Sequence, residues 1–460
     1  MARHRLVVVT MLLVLVAAAC TNEPEEEPAA RANGNGESDA GPYEHLARAN
    51  QGEFEGTSIQ VMGQWVDAEE ENFEAALQPF VDNTGIDVNY EGVTDYETVL
   101  NVRVEGGDPP DLAQLAQPGL MRSFQAQGSL VNLSEWINVD QLREDYIESF
   151  LDLASVNGDV YGVYYKTDFK SIVWYPVTAF EDNGYDIPET WDELTALSDQ
   201  IVADGNGNPW CVTMEHGDAT GWVATDWIED VLLRTAPLEV YDQWITHEIP
   251  FDHPEVQEAA EIVASVWFKP DYVYGGKTAI NNTFVGDSQH PMFDKGGPKC
   301  WLHKQAAWIP DFWPTDPATE EPLYTPGEDS SFFYFPPIEE EFGSPVLGGG
   351  DMFVMFDDRP EVRALMEYLA TPEGAEQWIA AGGFVSPNQS TPQEWYSIYP
   401  ASALAEIMAQ STALRFDASD TMPAEIGQGT FWSGMVDWVR AGGSNTEQVL
   451  SKIEAGWPET

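Results

Sequence analysis

Beginning at Ser58, strand-like and helix-like segments alternate, and that alternation constrains the fold more than any other feature of the chain. Ser58-Ile-Gln-Val-Met-Gly-Gln-Trp65 reads as a strand. Asp67 is placed to cap a helix whose apolar residues Phe73, Ala76, Leu77, Phe80 and Val81 recur at helical spacing. Gly85 is placed to end it, and Ile86–Tyr90 alternates like a second strand. Tyr96–Val104 is again helical, and Gly119–Gln127 has helical character beyond an Asp-Pro-Pro-Asp segment. Strand, helix, strand, helix, strand predicts an α/β lobe around a mostly parallel sheet. The body holds about 410 residues, more than one apolar core usually serves, so two lobes are expected.

Tyr161–Pro176 is strongly β-prone around Lys166 and Lys170. Thr190 and Glu193 are spaced as a capping box ahead of an amphipathic helix, and the chain then reads as helical and polar to about Trp267. Residues 269–345 are rich in Pro, Gly and aromatics, which predicts long irregular loops with short elements. Gly348-Gly-Gly-Asp-Met-Phe-Val-Met-Phe356 reads as a glycine-loosened crossing into a buried strand. Pro360 opens a helix carrying Val362, Leu365, Met366 and Leu369, and Thr371-Pro372 caps another. Phe384–Asn388 is a short linker, and helices near Phe431–Arg440 and Thr446–Ala455 come after it. No internal repeat is visible.

The first residues are Met-Ala-Arg-His-Arg, leading into an apolar run from Leu6 to Ala19 broken only by Thr10. A basic start and a short apolar core mark a secretory signal, too short for a membrane span. The run ends Val16-Ala-Ala-Ala-Cys20, which resembles the lipobox of bacterial lipoproteins and implies a lipidated Cys20. The alternative is an ordinary cleavage site beside an incidental cysteine. Residues 21–45 open Thr-Asn-Glu-Pro-Glu-Glu-Glu-Pro and cannot bury a core, so they are expected to be a disordered acidic tether. Cys211 and Cys300 remain, and an oxidising exterior joins such a pair. Closing a loop of about 90 residues would contribute on the order of 4 kcal/mol. No spaced histidines accompany that pair, so no metal and no cofactor is expected.

Asn208–Asp230 sets three tryptophans (Trp210, Trp222, Trp227) among five acids (Glu215, Asp218, Asp226, Glu229, Asp230). A buried strand or helix is not expected to mix flat apolar faces and acceptors so densely. A pocket for a polyhydroxylated ligand is, because a sugar ring has an apolar C–H face and a rim of hydroxyls. The alternative is a tryptophan-rich packing cluster under a surface loop.

Several segments together resemble a known family. They are the lipobox, Asp108-Pro-Pro-Asp-Leu-Ala, Pro188-Glu-Thr-Trp-Asp-Glu-Leu, Gly350-Asp-Met-Phe-Val, Thr371-Pro-Glu-Gly-Ala-Glu-Gln-Trp and Met422-Pro with Phe431-Trp432. In this order they are similar to the family 1 solute-binding proteins of ABC sugar importers, from about residue 57 onward. Pro209-Trp-Cys, Ala219-Thr-Gly-Trp with Thr225-Asp-Trp-Ile-Glu-Asp, and Cys300-Trp-Leu-His-Lys-Gln-Ala resemble its α-glucoside-binding branch.

The resemblance implies a maltose-binding-protein-like, two-lobed periplasmic-binding-protein fold that closes on its ligand about a hinge and performs no reaction. It implies an N-lobe of 50–165 plus 346–384, a C-lobe of 166–345 plus 385–460, and crossings near Tyr161–Ser171, Phe335–Gly350 and Phe384–Asn388. The implied ligand residues are Trp65, Asp111, Glu215, Trp222, Asp226, Trp227, Asp351 and Trp432, with Asp417 and Asp420 as further candidates. For Asp111 the other reading is a helix cap, and for Trp65 core packing. Lys166 stands at the hinge. The implied partners are an α-glucoside and the permease subunits of the importer, with the chain acting as a monomer on the outer face of the cytoplasmic membrane.

Two other classes fit parts of the sequence. A secreted glycoside hydrolase needs a carboxylate pair about 5 to 10 Å apart, which Glu215 with Asp226 could supply. A polyamine receptor would suit the acids. Gly276-Lys-Thr lacks the earlier glycine of a phosphate loop, Gly286-Asp-Ser-Gln lacks the nucleophile elbow, and His247 with His253 lack zinc-protease spacing.

The net charge of −58 excludes nucleic acid and anionic lipid surfaces as partners. The acids are spread along the chain, a pattern that predicts a solvated acidic surface adapted to a salty or alkaline medium. Molar NaCl should therefore raise the thermal midpoint of the soluble body, and a midpoint that stays level would contradict that adaptation.

Overall fold

The computed structural model describes residues 42–319, 322–396 and 399–458. The expected signal, Cys20 and the tether to residue 41 lie outside the described residues. The first described helix, Glu44–Ala49, packs on the helix Pro360–Leu369, with the Leu46 N–H donating to Glu367 at 2.7 Å. Tyr43 and His45 are buried there. The body thus starts before residue 50, and residues 43–45 belong to it, not to a tether.

The alternation that opens the sequence folds as expected. Ser58–Gly63 pairs in parallel with Asp87–Gly92 and with Leu112–Leu115. The helix Ala68–Thr84 buries Phe73, Ala76, Leu77 and Phe80 and ends at Gly85. Asp67 stands at its N-cap without making a capping hydrogen bond. The predicted capping box of Thr190 and Glu193 is present at the head of Trp191–Asp204.

Two strands extend this sheet: Pro345–Met355 carries the chain between its two large apolar cores, and Gly162–Phe169 runs from the first of them to a smaller third core at Phe169. Pro345–Met355 pairs antiparallel with Leu112–Leu115 through its second half and parallel with Ala413–Phe416 through its first. Gly162–Phe169 lies antiparallel along it from Gly162 opposite Val354 to Phe169 opposite Gly348. Val163, Tyr164, Tyr165 and Met352–Met355 sit in one core, while Leu347 and Phe335 sit in the other. Val385 also runs alongside, its carbonyl accepting from the Thr167 N–H at 2.8 Å.

The second core surrounds a smaller sheet in the order Ser330–Tyr334, Ile172–Pro176, Cys300–Lys304, Asn208–Trp210. One of its inner strands, Cys300–Lys304, lies inside the stretch expected to be irregular. Cys300-Trp-Leu-His-Lys304 is buried at every position, so it has no exposed face to give an alternating pattern. Cys300 is joined to Cys211 across 89 residues, as expected for an oxidising exterior. Among the described residues, no helix is long and apolar enough to cross a membrane.

The three glycines of the crossing have a steric cause at Gly350. A Cβ there would stand 2.6 Å from the Lys166 carbonyl oxygen on the paired strand. Gly350→Ala should lower the unfolding free energy by about 1–3 kcal/mol, as overpacking does, which urea titration will read. A neutral effect would mean that the ladder yields freely at this point.

Candidate functional site

A cleft enclosing about 950 Å³ of empty space, part of it open to solvent, lies between the two cores. One wall is built from residues just past the C-terminal ends of the parallel strands: Gln64 and Trp65 after Ser58–Gly63, Thr94 and Glu97 after Asp87–Gly92, and Gln117 after Leu112–Leu115. Ligands of open α/β sheets gather at those ends, where the chain turns away and frees side chains. The opposite wall is aromatic, with Trp222, Phe284, Trp308, Phe312 and Trp432. Lys166, Asp168, Lys170, Gly349, Gly350 and Asp351 of the crossings form the floor. At the rim the two sides touch, where the Thr98 hydroxyl donates to the Asp218 carboxylate.

The tryptophans are held by named partners. The Trp222 indole N–H donates to His216 Nδ1 at 3.1 Å, and its ring lies 6.0 Å from that of Trp308. Burial lowers the His216 pKa, which keeps the ring neutral and able to accept. The Trp432 indole N–H donates to Ser419 Oγ at 3.2 Å. Gly221, at φ 127°, has no Cβ to strike the Trp432 carbonyl, so the two tryptophans come from segments in direct backbone contact. Trp65 meets both expectations. It lines the cleft, yet is 1% exposed and packs edge-on to Trp378 at 4.9 Å and Phe73 at 5.0 Å.

The polar floor is strongly paired. Asp351 Oδ1 accepts from Gln114 at 2.5 Å and Gln64 at 3.2 Å. Burial, together with the nearby Asp168 charge, pushes its carboxyl up to about 8. Lys166 Nζ lies 2.6 Å from Glu69 and 3.9 Å from Asp168. Lys170 Nζ lies 2.5 Å from Asp417 and 3.0 Å from Asp226. Burial would raise the Asp417 carboxyl, but the Lys170 ammonium together with hydrogen bonds from Asp226 and the Asp420 N–H more than offsets it and holds Asp417 below the usual range. Burial raises Asp226 and Asp420 well above theirs. Asp226, Glu229 and Asp417 bring oxygens within 4.8 Å of one another, close enough to hold a cation, and the Lys170 ammonium lies against Asp226 and Asp417.

Of the sequence candidates, Trp65, Trp222, Asp351, Trp432, Asp417 and Asp420 share this cleft. Four others do not face it. Asp111 precedes Leu112–Leu115, at the far end of the parallel strands, where it pairs with Arg359 at 2.6 Å and accepts from the Gln60 N–H. Trp227 is core, against Trp210 at 5.1 Å and Trp267 at 5.7 Å. Glu215 caps the rim turn by accepting from the Gly217 N–H at 3.0 Å. Asp226 lies behind the floor, under Lys170. The hydrolase pair of Glu215 and Asp226 therefore does not flank the cleft.

The central stretch also corrects the premise that a buried helix would not mix aromatics and acids. Trp222–Leu232 is such a helix, buried from Val223 to Leu232. Each of its acids has a partner. Asp230 meets Arg234 and, at 2.9 Å, Lys304, while Glu229 accepts the Ala418 and Ser419 N–H groups at 2.8 and 3.1 Å. Residues that sequence reading missed, such as Gln64, Glu97, Gln117, His216 and Trp308, are single polar or aromatic groups just beyond strand ends or in loops, with no motif to mark them.

The elevated Asp351 proton affinity sets a pH dependence. The native state holds this proton when the unfolded chain has released it, so its contribution to stability is complete below about pH 4 and is lost as pH rises through about 8. Asp351→Asn, which cannot ionise, should flatten the fall of the thermal midpoint across that window and leave the variant more stable than wild type at pH 9. Parallel curves for the two proteins would contradict this assignment.

Comparison with known proteins agrees with the geometry. Residues 65–376 match the family model of bacterial extracellular solute-binding proteins. The chain is 42% identical over 407 residues to the osmoprotective compounds-binding protein GgtB of Synechocystis sp., covering 88% of this chain and 94% of that one. It is 39% identical over 416 residues to the alpha-glucosides-binding periplasmic protein AglE of Rhizobium meliloti, covering 88% of each. In fold it resembles the bacterial solute receptor AcbH, with a TM-score of 0.73 at 18% identity over 87% of this chain and 98% of that one. A maltose-bound MalE3 of T. maritima shares the fold at a TM-score of 0.64 and 16% identity, over 87% and 98% of the two chains. The family binds solutes and is not one of enzymes, and this chain belongs to it: it is a bacterial extracellular solute-binding protein.

Proposed function

We propose that the protein is the receptor of an ABC importer, capturing a neutral α-glucoside of the trehalose, maltose or sucrose type and delivering it to the permease without altering it. One observation carries this reading. Four tryptophans (Trp65, Trp222, Trp308, Trp432) share one cleft with the carboxyl and amide groups of Gln64, Gln117 and Asp351. Aromatic faces suit the C–H side of a pyranose, and amides and carboxyls suit its hydroxyls. Both lysines of the floor already lie against two carboxyl groups each, which disfavours anionic ligands such as uronates or sugar phosphates. The solutes for which GgtB and AglE are named support an α-glucoside or a related osmoprotective compound.

In this reading the lobes are 50–165 plus 346–384 and 166–345 plus 385–460, with the opening helix Glu44–Ala49 added to the first. A ligand touching both walls favours the closed arrangement by the difference in its contacts with the open and closed forms. Trp65, Trp222, Asp351 and Trp432 bind the sugar. Cys20 carries a lipid that tethers the receptor to the outer face of the membrane, and the acidic surface keeps it soluble in brine.

Thermal unfolding of the body (residues 42–460) against trehalose, maltose, sucrose, maltotriose, glucose and spermidine tests this directly. The midpoint should rise with one or more α-glucosides, which are recovered intact. Trp222→Ala and Trp432→Ala should each weaken that sugar by about tenfold or more while remaining folded. A shift with spermidine alone would replace the sugar reading with a polyamine receptor.

A further inference from the structure

Lys170 stands where the cleft floor meets the hinge and is built in from several sides. Its backbone N–H donates to the Leu347 carbonyl of the crossing strand at 3.0 Å, and its own carbonyl accepts from Lys304 Nζ at 3.2 Å. Its stem passes over Gly349, where a Cβ would come within 3.1 Å of Lys170 Cε. The glycine at that position thus leaves room for this side chain. The ammonium reaches Asp417 and Asp226 and lies 5.5 Å from the centre of the Trp222 ring, in cation–π range.

From Asp417 the contacts continue to the second cleft tryptophan. Ser419 Oγ donates to Asp417 Oδ1 at 2.9 Å and accepts the Trp432 indole N–H at 3.2 Å. One buried cation is thereby linked to both indoles, directly to Trp222 and through Asp417 and Ser419 to Trp432. Burying an ammonium among carboxyls is costly, and hydrophobic residues of similar volume often serve stability as well or better. The arrangement therefore calls for a reason beyond stability.

We infer that Lys170 is a positioning residue for ligand binding: with Asp417 and Ser419 it fixes the Trp222 and Trp432 rings in the orientation that receives the ligand. The inference rests on the sugar-receptor reading for what is received, but not for what is fixed. It assigns the lysine a role distinct from that of Lys304. Lys304 is also buried, pairs with Asp230 and lies 5.7 Å from the centre of the core Trp227 ring, and it meets Lys170 only at the backbone carbonyl, away from the ammonium that faces Trp222 and Asp417.

The test compares Lys170→Met, Lys304→Met and Ser419→Ala in the body, with near-ultraviolet circular dichroism of the protein without sugar and titration with the sugar that stabilises wild type. Lys170→Met should lose about tenfold or more in affinity, and Lys304→Met should keep it within about threefold even if its melting midpoint drops. Ser419→Ala, which deletes only the oxygen between Asp417 and Trp432, should fold and lose about fivefold to tenfold. The dichroism change of Lys170→Met should match bands lost in Trp222→Phe and Trp432→Phe. Equal losses in the two lysine variants, or an unchanged affinity in Ser419→Ala, would overturn the inference. If no sugar binds wild type, the receptor reading fails on its own, while an unchanged dichroism spectrum in Lys170→Met and Ser419→Ala would still overturn the positioning role.

Discussion

The antiparallel ladder between Gly162–Phe169 and Pro345–Met355 ties the molecule together across the floor of the cleft. It is a continuation of the first sheet, yet its two ends are sunk in different apolar cores, so the cores cannot separate without bending these strands. The ladder itself supplies Lys166, Asp168 and Asp351 to the cleft floor, and Lys170 follows directly on its first strand. Position and charge at the floor are thus set by strand register. The register shift between Asp351 and Met352 falls beside the run of glycines, at the place where the strand passes from one core toward the other.

Around that ladder the walls differ in chemistry because they come from differently built lobes. The parallel sheet offers its C-terminal strand ends, where the turn after the first strand presents Gln64 and the first turn of the helix Tyr96–Glu105 presents Glu97. The other side offers helix starts and loops that present flat rings. A ligand with one apolar face and a rim of hydroxyls satisfies both, and the contrast between walls gives it a single preferred orientation.

Much of this was legible in the sequence. The strand–helix alternation after Ser58 pointed to the parallel sheet, the Gly348–Gly350 run marked the crossing, and two lone cysteines in an exported chain foretold their bond. Where sequence reading goes astray, the causes are physical. Asp111 does adjoin a strand end, but it stands at the start of Leu112–Leu115, and only the other end opens on the cleft. Trp222 and Trp227 are close along the chain yet part company in space. On the helix they share, residues 222, 226 and 229 fall on one face, while 227 is turned about 140° away. The mix of tryptophans and acids in Trp222–Leu232 reads as a ligand pocket, because nothing in a one-dimensional pattern shows that Lys170 converges on Asp226, and Arg234 and Lys304 on Asp230, inside a core. Cys300–Lys304, buried on both faces, has no alternation to detect.

A receptor whose cleft is contacted from both cores must become more compact when ligand draws the walls together. Small-angle X-ray scattering of the body, with and without the α-glucoside that raises its melting midpoint, measures this most directly. The account predicts a smaller radius of gyration on saturation with the sugar and no change with a sugar that does not stabilise the protein. An unchanged or larger radius at saturation would contradict closure of the two lobes about the ladder.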